Sequence, residues 1–493
     1  MGEEEGQELL HDIFGSVLDR TELTPYLLRG CPDYEAALRG ASLMMGNRGF
    51  RLEQGEPAPG ELERASAYVR QALSWILSSF IPDLRSSLQP LLSIDSPRTP
   101  LYRETLSRLS ELRDLFASGP FREAAERDPR NLFLLASSAK YPDLFRGDSG
   151  FPESIPPRWR FAACSLLKAS HLVKSLEEDS QDIRNFAVLG FFFREKNIPL
   201  SRLFGHDWTS ASSVPADEGA RCAYVQCASF FVKLGASVTR EKDGSLFFNS
   251  GDGVRVELVD IKARLKSPAS MFAKLGKDES GESWSIRDVV AVTFLLKRRD
   301  DSLTLFHALQ KQGVILQENT ASASITQTLY NSPEDMEKAV QGLMDALAIR
   351  EGVRTGASAD SVRHNAVSFY RSLTTDRGLN PHSSDSHRKI QCKLHFSVPV
   401  VHAAESGHVL VSGDDFPPAA GTAVYTSQHT LPVELRLSDL ESWEKSELRG
   451  ESHHEAYKCR QYLQILQRLF SPLAGFPSDQ MKGLREDQSR LYC

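Results

Sequence analysis

The chain is poor in cysteine and has no pair of cysteines at redox or zinc-site spacing. Its seven, Cys31, Cys164, Cys222, Cys227, Cys392, Cys459 and Cys493, are scattered and odd in number. No C-x-x-C pair is present, and an odd, dispersed set points to a reduced compartment rather than to a disulfide scaffold. Cys222 and Cys227, five apart with no second pair, read as small buried hydrophobes, so no structural metal is expected. Long apolar runs are missing too: no stretch approaches the ~20 apolar residues of a membrane span. The amino terminus, MGEEEGQELL, is acidic where a secretion signal is basic and then apolar, and it lacks the Ser or Thr of a myristoylation signal. A basic excess is also absent. With 58 Lys and Arg against 65 Asp and Glu the formal net charge is −7, which excludes a broadly basic DNA-binding surface and confines any polyanion site to a local pocket. The expectation is a cytoplasmic protein with no membrane segment and no DNA partner.

What is present is ordinary globular composition, 41% hydrophobic and 25% charged over 493 residues, enough for two or three domains. The first 150 residues read as a helical domain. Leu62, Ala65, Val69, Ala72, Leu73, Ile76 and Phe80 recur at helical spacing until Pro82 ends or kinks the helix, and Leu106, Leu109, Leu112, Leu115 and Phe116 line a second one. His11 and Asp12 are adjacent, but a metal-dependent hydrolase site needs further ligands, and the next histidine is His171. His171 itself lies near the apolar face of a helix over 159–178 and reads as a core histidine. Residues 151–219 form a helical connector, with a further helix over 183–195. From Ala220 the pattern changes to short apolar runs separated by turns, so 220–470 is expected to be an α+β domain, a mixed sheet of about five strands flanked by helices. A polar tail, 471–493, carries no evident role.

Within that domain a hairpin is expected around Lys242-Asp243-Gly244, then strands over 254–261, 289–296, 390–401 and 432–437, with 408–412 pairing between the last two. Helices are expected over 302–312 and from Ser332-Pro333-Glu334-Asp335, a start signal with a serine cap and acids at the positive end of the dipole. Residues 350–388 read as a polar insertion. The chemistry concentrates between Val254 and Leu296. Arg264 and Lys266 stand where a strand ends, and Ser270 and Lys274, four apart on a helix, share a face, giving the spacing R-x-K-x-x-x-S-x-x-x-K. Several fixed cations beside helix amides can hold a polyphosphate, and Asp288, one strand away, is placed to hold its magnesium. On charge alone the same cations read as a solvated face.

This order of residues resembles the nucleotide-binding core of the RelA/SpoT alarmone synthetases, bacterial pyrophosphokinases with an R-x-K, a Ser, a Lys and then an Asp at the start of a strand. A second match lies in LPVELRL, 431–437, which is similar to the family's V-E-I-Q-I strand with its acid at Glu434, and in HEAYK, whose His454, Tyr457 and Lys458 resemble the family's H-W-x-Y-K helix. The resemblance covers about 222–462. It implies a RelA/SpoT-like nucleotidyltransferase domain after the helical region and Mg2+-dependent transfer of pyrophosphate from ATP to a nucleotide or RNA hydroxyl. It places Asp288 and Glu434 as catalytic and metal-binding residues. It assigns Arg264, Lys266, Ser270, Lys274, His387, Lys389, Gln391, Arg436, His454 and Lys458 to the nucleotides. Departures fall mostly on the acceptor side: Thr293 stands where the family has an arginine, His387, Lys389 and Gln391 replace its Tyr-x-Ser-x-His, Arg436 replaces a glutamine, and Glu455 an aromatic. Such a pattern also fits a non-catalytic nucleotide-binding module, or a helical scaffold with a degenerate transferase domain.

Overall fold

The computed structural model describes residues 60–117, 119–138, 156–179, 198–199, 230–250, 253–277, 288–316, 319–330, 332–351, 374–375, 388–403, 409–411, 424–448, 450, 453–471 and 473–492. The readings made for His11 and Asp12, 183–195 and His387, and most of the 350–388 insertion, lie outside them. The chain divides into two compact units, each built from separated stretches: a helical unit of 1–179, 269–285 and 454–493, and a sheet unit of 180–268 and 286–453.

In the helical unit, α1 (Glu61–Trp75) is followed by a π-helical turn, Ile76–Phe80, and by α2 (Ile81–Leu88). Pro82 explains the join. It sits in the first turn of α2, where its missing N–H costs nothing, and the chain enters that turn through a wide bond from the Ile81 N–H to the Ile76 carbonyl. Then come α3 (Thr99–Ala117), α4 (Gly119–Arg127), α5 (Arg130–Ser138) and α6 (Pro157–Asp179). Most of the expected apolar stripes are buried: Ala65, Val69, Ala72 and Leu73 on α1, Ile76 and Phe80 in the π-helical turn, and Leu106, Leu109, Leu112 and Phe116 on α3. Two distant stretches complete the unit, α7 (Pro268–Lys277, from Ala269 on) and α11 (His454–Phe470) with α12 (Met481–Tyr492). Aromatic side chains knit them together. Phe80 meets Trp75, Tyr462 and Phe470 at 5.3–5.6 Å between ring centroids, and Trp75 meets Phe272 edge-on at 5.9 Å. Each fully buried ring of this kind contributes ~1.5–3 kcal/mol.

The sheet unit contains β1 (Ile198–Pro199), β2 (Val238–Arg240), β3 (Leu246–Asn249), β4 (Arg255–Leu265), β5 (Val290–Leu296), β6 (Thr320–Gln327), β7 (Thr374–Thr375), β8 (Ile390–Ala403), β9 (Val409–Val411) and β10 (Val424–Asp439). All ten pair in one mixed sheet with the main order β2-β3-β4-β5-β10-β8-β6-β7. Apart from β1, β7 and β9, the sheet has seven strands, more than the expected five or so. The strand not expected is β6, whose alternation in TASASITQ rests on the small Ala321 and Ala323 and on Ile325. The strands read from 254–261, 289–296 and 432–437 are indeed neighbours, with β4 antiparallel and β10 parallel to β5. The segment around 408–412 does not lie between β8 and β10. Those two pair directly from Leu437↔Ile390 to Val424↔Ala403, which leaves β9 only the far edge of β8.

Among the described residues the helices of this unit include α8 (Ser302–Lys311), α9 (Pro333–Glu351) and α10 (Leu440–Leu448). Two start as their caps dictate. The Asp335 N–H donates to Ser332 Oγ at 3.1 Å, and the Ser442 N–H donates to the Asp439 carboxylate at 3.0 Å. Gly313, at φ +64°, turns the chain out of α8 where a side chain would be strained.

Candidate functional site

The register of the four central strands sorts their side chains by period two. One face carries Ile261 and Ala263 of β4, Val290, Val292 and Phe294 of β5, Val433, Leu435 and Leu437 of β10, and Ile390, Cys392 and Leu394 of β8, all buried. This is the hydrophobic core, and α8 packs against β3, β4 and β10. The opposite face is charged. Arg264, Ala291, Glu434 and Lys393 form one row across the sheet, and Lys262, Thr293, Arg436 and Gln391 form the next. Lys266 and Asp288 stand just beyond the ends of β4 and β5, tied by the bond from the Lys266 N–H to the Val289 carbonyl. Lys389 immediately precedes β8, and Asp260 lies two residues before Lys262. Six cations thus share one side of the sheet with three acids, Asp260, Asp288 and Glu434.

Two of those acids are deeply placed: Glu434 is 2% exposed and Asp288 8%. Each has a cation. Lys266 Nζ bridges to Asp288, while Arg436 Nε donates to one oxygen of Glu434 and Gln391 Nε2 donates to the other at 2.9 Å. Burial pushes the Glu434 carboxyl up and Arg436 pulls it down; Asp288 raises it again, Lys389 and Arg264 lower it, and the balance leaves it below the ordinary carboxylate range. Asp288, Arg264, Lys389 and Arg436 thus all lie within electrostatic reach of Glu434. At the far end of the face Trp443 of α10 covers Lys262, whose Nζ is 4.5 Å from the ring centroid. Thr293, where the family pattern has an arginine, is 7% exposed between Lys262 and Arg436.

Of the residues expected at the site, Arg264, Lys266, Asp288, Lys389, Gln391, Glu434 and Arg436 are therefore assembled in the sheet unit. Ser270, Lys274, His454 and Lys458 belong to the helical unit, on α7 and α11. These two helices are joined there: Arg468 Nη1 donates to the carbonyls of Leu275 and Gly276 at 2.9 and 3.1 Å, capping the carboxyl end of α7. His387 lies outside the described residues.

Lys262 and Lys393 were not anticipated. A signal existed: K-A-R-L-K and K-I-Q-C-K alternate polar and apolar residues as strictly as any strand, and the cations fall on one side. A second polar feature holds none of the expected residues. A cleft of about 330 Å3 opens at the carboxyl ends of the parallel pair β5 and β10, lined among others by Lys297, Arg299, Asp300, Asp335 and Asp439. Arg299 is committed there to its acidic neighbours, its Nε 3.1 Å from the Asp439 carboxylate that also caps α10.

Asp288 and Glu434 supply two carboxylate groups on one face, and a magnesium ion bound with substrate phosphates uses one or two. The charge of Asp288 raises the Glu434 carboxyl, so the two acids are near each other, as such a donor set needs. Among the described residues, no group of three or more His, Cys, Asp and Glu side chains is arranged to hold a metal without a substrate, and no helix is long and apolar enough to cross a membrane. The chain matches no protein-family model, no curated protein and no solved structure.

Proposed function

We propose that the charged face of the sheet binds the polyphosphate of ATP and that the protein transfers pyrophosphate from it to a nucleotide or RNA hydroxyl, as the resemblance to the RelA/SpoT synthetases suggests. The observation that carries this reading is the concentration of Lys262, Arg264, Lys266, Lys389, Lys393 and Arg436 around two buried acids in a chain whose net charge is negative. A face of that sign, partly shielded from water, attracts a triphosphate and strengthens each contact with it. Asp288 and Glu434 are the residues that would hold Mg2+, whose chemistry is to neutralise charge on the transferring phosphates. Glu434, kept ionised by Arg436, is the group suited to accept the proton of the attacking hydroxyl. Arg264 and Lys389 hold phosphate oxygens in line, which in this class of reaction is most of the protein's contribution. Incubation of the protein with labelled ATP, Mg2+ and a panel of nucleotide and tRNA acceptors tests the reading. A labelled product is expected; ATP bound without transfer to any acceptor rejects catalysis.

One observation favours a second reading, a nucleotide-binding module without turnover. Both acids already carry a cation, Lys266 on Asp288 and Arg436 on Glu434. In an enzyme those cations move to the phosphates when metal and substrate enter, and Asp288→Asn abolishes turnover. In a module they stay, and Asp288→Asn leaves most of the ATP affinity.

A further inference from the structure

The last helix, α12, docks against the helical unit with very little apolar surface. Its sequence, MKGLREDQSRLY, buries only Leu484, Asp487 and Gln488, two of them polar. A terminal helix normally docks through an apolar stripe, and here a buried carboxylate takes that place. Asp487 is fully buried and accepts from Ser96 Oγ at 2.6 Å, Tyr102 Oη at 2.6 Å, and Arg98 Nε and Nη2 at 2.9 and 3.1 Å. Gly483, one turn earlier, provides the room: a β-carbon there would stand 2.2 Å from the Arg98 guanidinium carbon. On the next position of the same face Gln488 Oε1 accepts from Nη1 of Arg460, an arginine of α11 that is 1% exposed. The helix thus ties the start of α3 to α11. It also covers the fully buried Cys459 of α11, which lies beside Gln488 and Tyr492 and whose thiol burial pushes up to about 12.

We infer that α12 is a charge-locked strap over α11, released as a unit when the Arg98–Asp487 lock opens while the rest of the helical unit stays folded. Its few apolar contacts cannot hold it once the lock is gone, whereas the contacts of α1 to α6 with one another do not pass through it, Tyr102 of α3 being the one residue of those helices bonded to Asp487. The inference is independent of the nucleotide reading. Cys459 reports it directly, because it is sealed while α12 is docked, and Cys164, buried in α6, reports unfolding of the unit. The experiment is N-ethylmaleimide labelling of the full chain under native conditions, with the modified cysteines mapped by mass spectrometry. In Asp487→Asn the Cys459 peptide is expected to be labelled roughly a hundredfold faster than in the wild type, since removing one partner of a buried ion pair strands the other, and Cys164 is expected to keep its wild-type rate. Gly483→Ala, which leaves the carboxylate intact, is expected to accelerate Cys459 as well, although helix propensity alone would slow it. Cys459 labelled in Asp487→Asn no faster than in the wild type, Cys164 accelerating together with it, or Gly483→Ala labelling more slowly than the wild type would each overturn the inference.

Discussion

Glu434 in the sheet unit and Asp487 in the helical unit are both buried carboxylates held below the ordinary range, and they reach that state by opposite means. Burial pushes the Asp487 carboxyl up, and hydrogen bonds from Arg98, Ser96 and Tyr102 more than offset it. Glu434 also has burial against it, has two side-chain donors, and has a second acid, Asp288, working against its ionisation. A carboxylate saturated by donors is what a fold uses to hold elements together. Two like-charged acids within electrostatic reach of each other do little for stability, and such an arrangement is the kind that binding sites maintain at a cost to the fold.

The largest effect expected from breaking this contrast is on turnover. Glu434→Gln or Asp288→Asn should lower pyrophosphate transfer by on the order of 10²–10³, measured as initial rates at saturating ATP; a variant within a few-fold of the wild type would remove both acids from the reaction. Next is stability. Asp487→Asn should destabilise the docking of α12 by about 3 kcal/mol, leaving Arg98 only the exposed Glu486 carboxylate at 3.4 Å, seen as lost hydrogen-exchange protection over 481–492.

The acid response follows from the direction of the shift. Because the folded Asp487 carboxyl lies below its unfolded value of about 3.9, its contribution is fully present above that pH and is lost as pH falls through the unfolded and then the folded value. Protection of α12 should therefore fade below about pH 4 in the wild type, and Asp487→Asn, lacking the titrating group, should show no such fading. The smallest effects belong to the unexpected cations. Lys393→Ala and Lys262→Ala should each weaken ATP binding by roughly five- to tenfold and flatten its salt dependence, as loss of one screened phosphate contact does.

Much of the sheet was legible in the sequence. The alternation of β4, the unbroken apolar run of β5 and the VELRL of β10 each announce a strand, and the start of α9 is written in Ser332 and Pro333. The hidden parts share a cause. The β6 strand and α12 carry only weak apolar signals, the first because the alternating residues of TASASITQ are two alanines and one isoleucine, the second because two of its three fully buried side chains, Asp487 and Gln488, are polar. Lys262 and Lys393 escaped because alternation was read for its apolar half; the polar half lies in the same residues. The pairing of Lys266 with Asp288 and of Arg436 with Glu434 depends on β4, β5 and β10 coming together, which no local pattern specifies.

Titration of ATP with Mg2+ into the wild type and into Arg264→Ala, followed by calorimetry, tests the central claim most directly, because Arg264 lies in the row of Glu434 and acts on its carboxyl electrostatically. The charged face as a polyphosphate site predicts saturable binding to the wild type that weakens as salt rises and is at least tenfold weaker in Arg264→Ala. No binding to the wild type, or equal affinity in the two proteins, would contradict it.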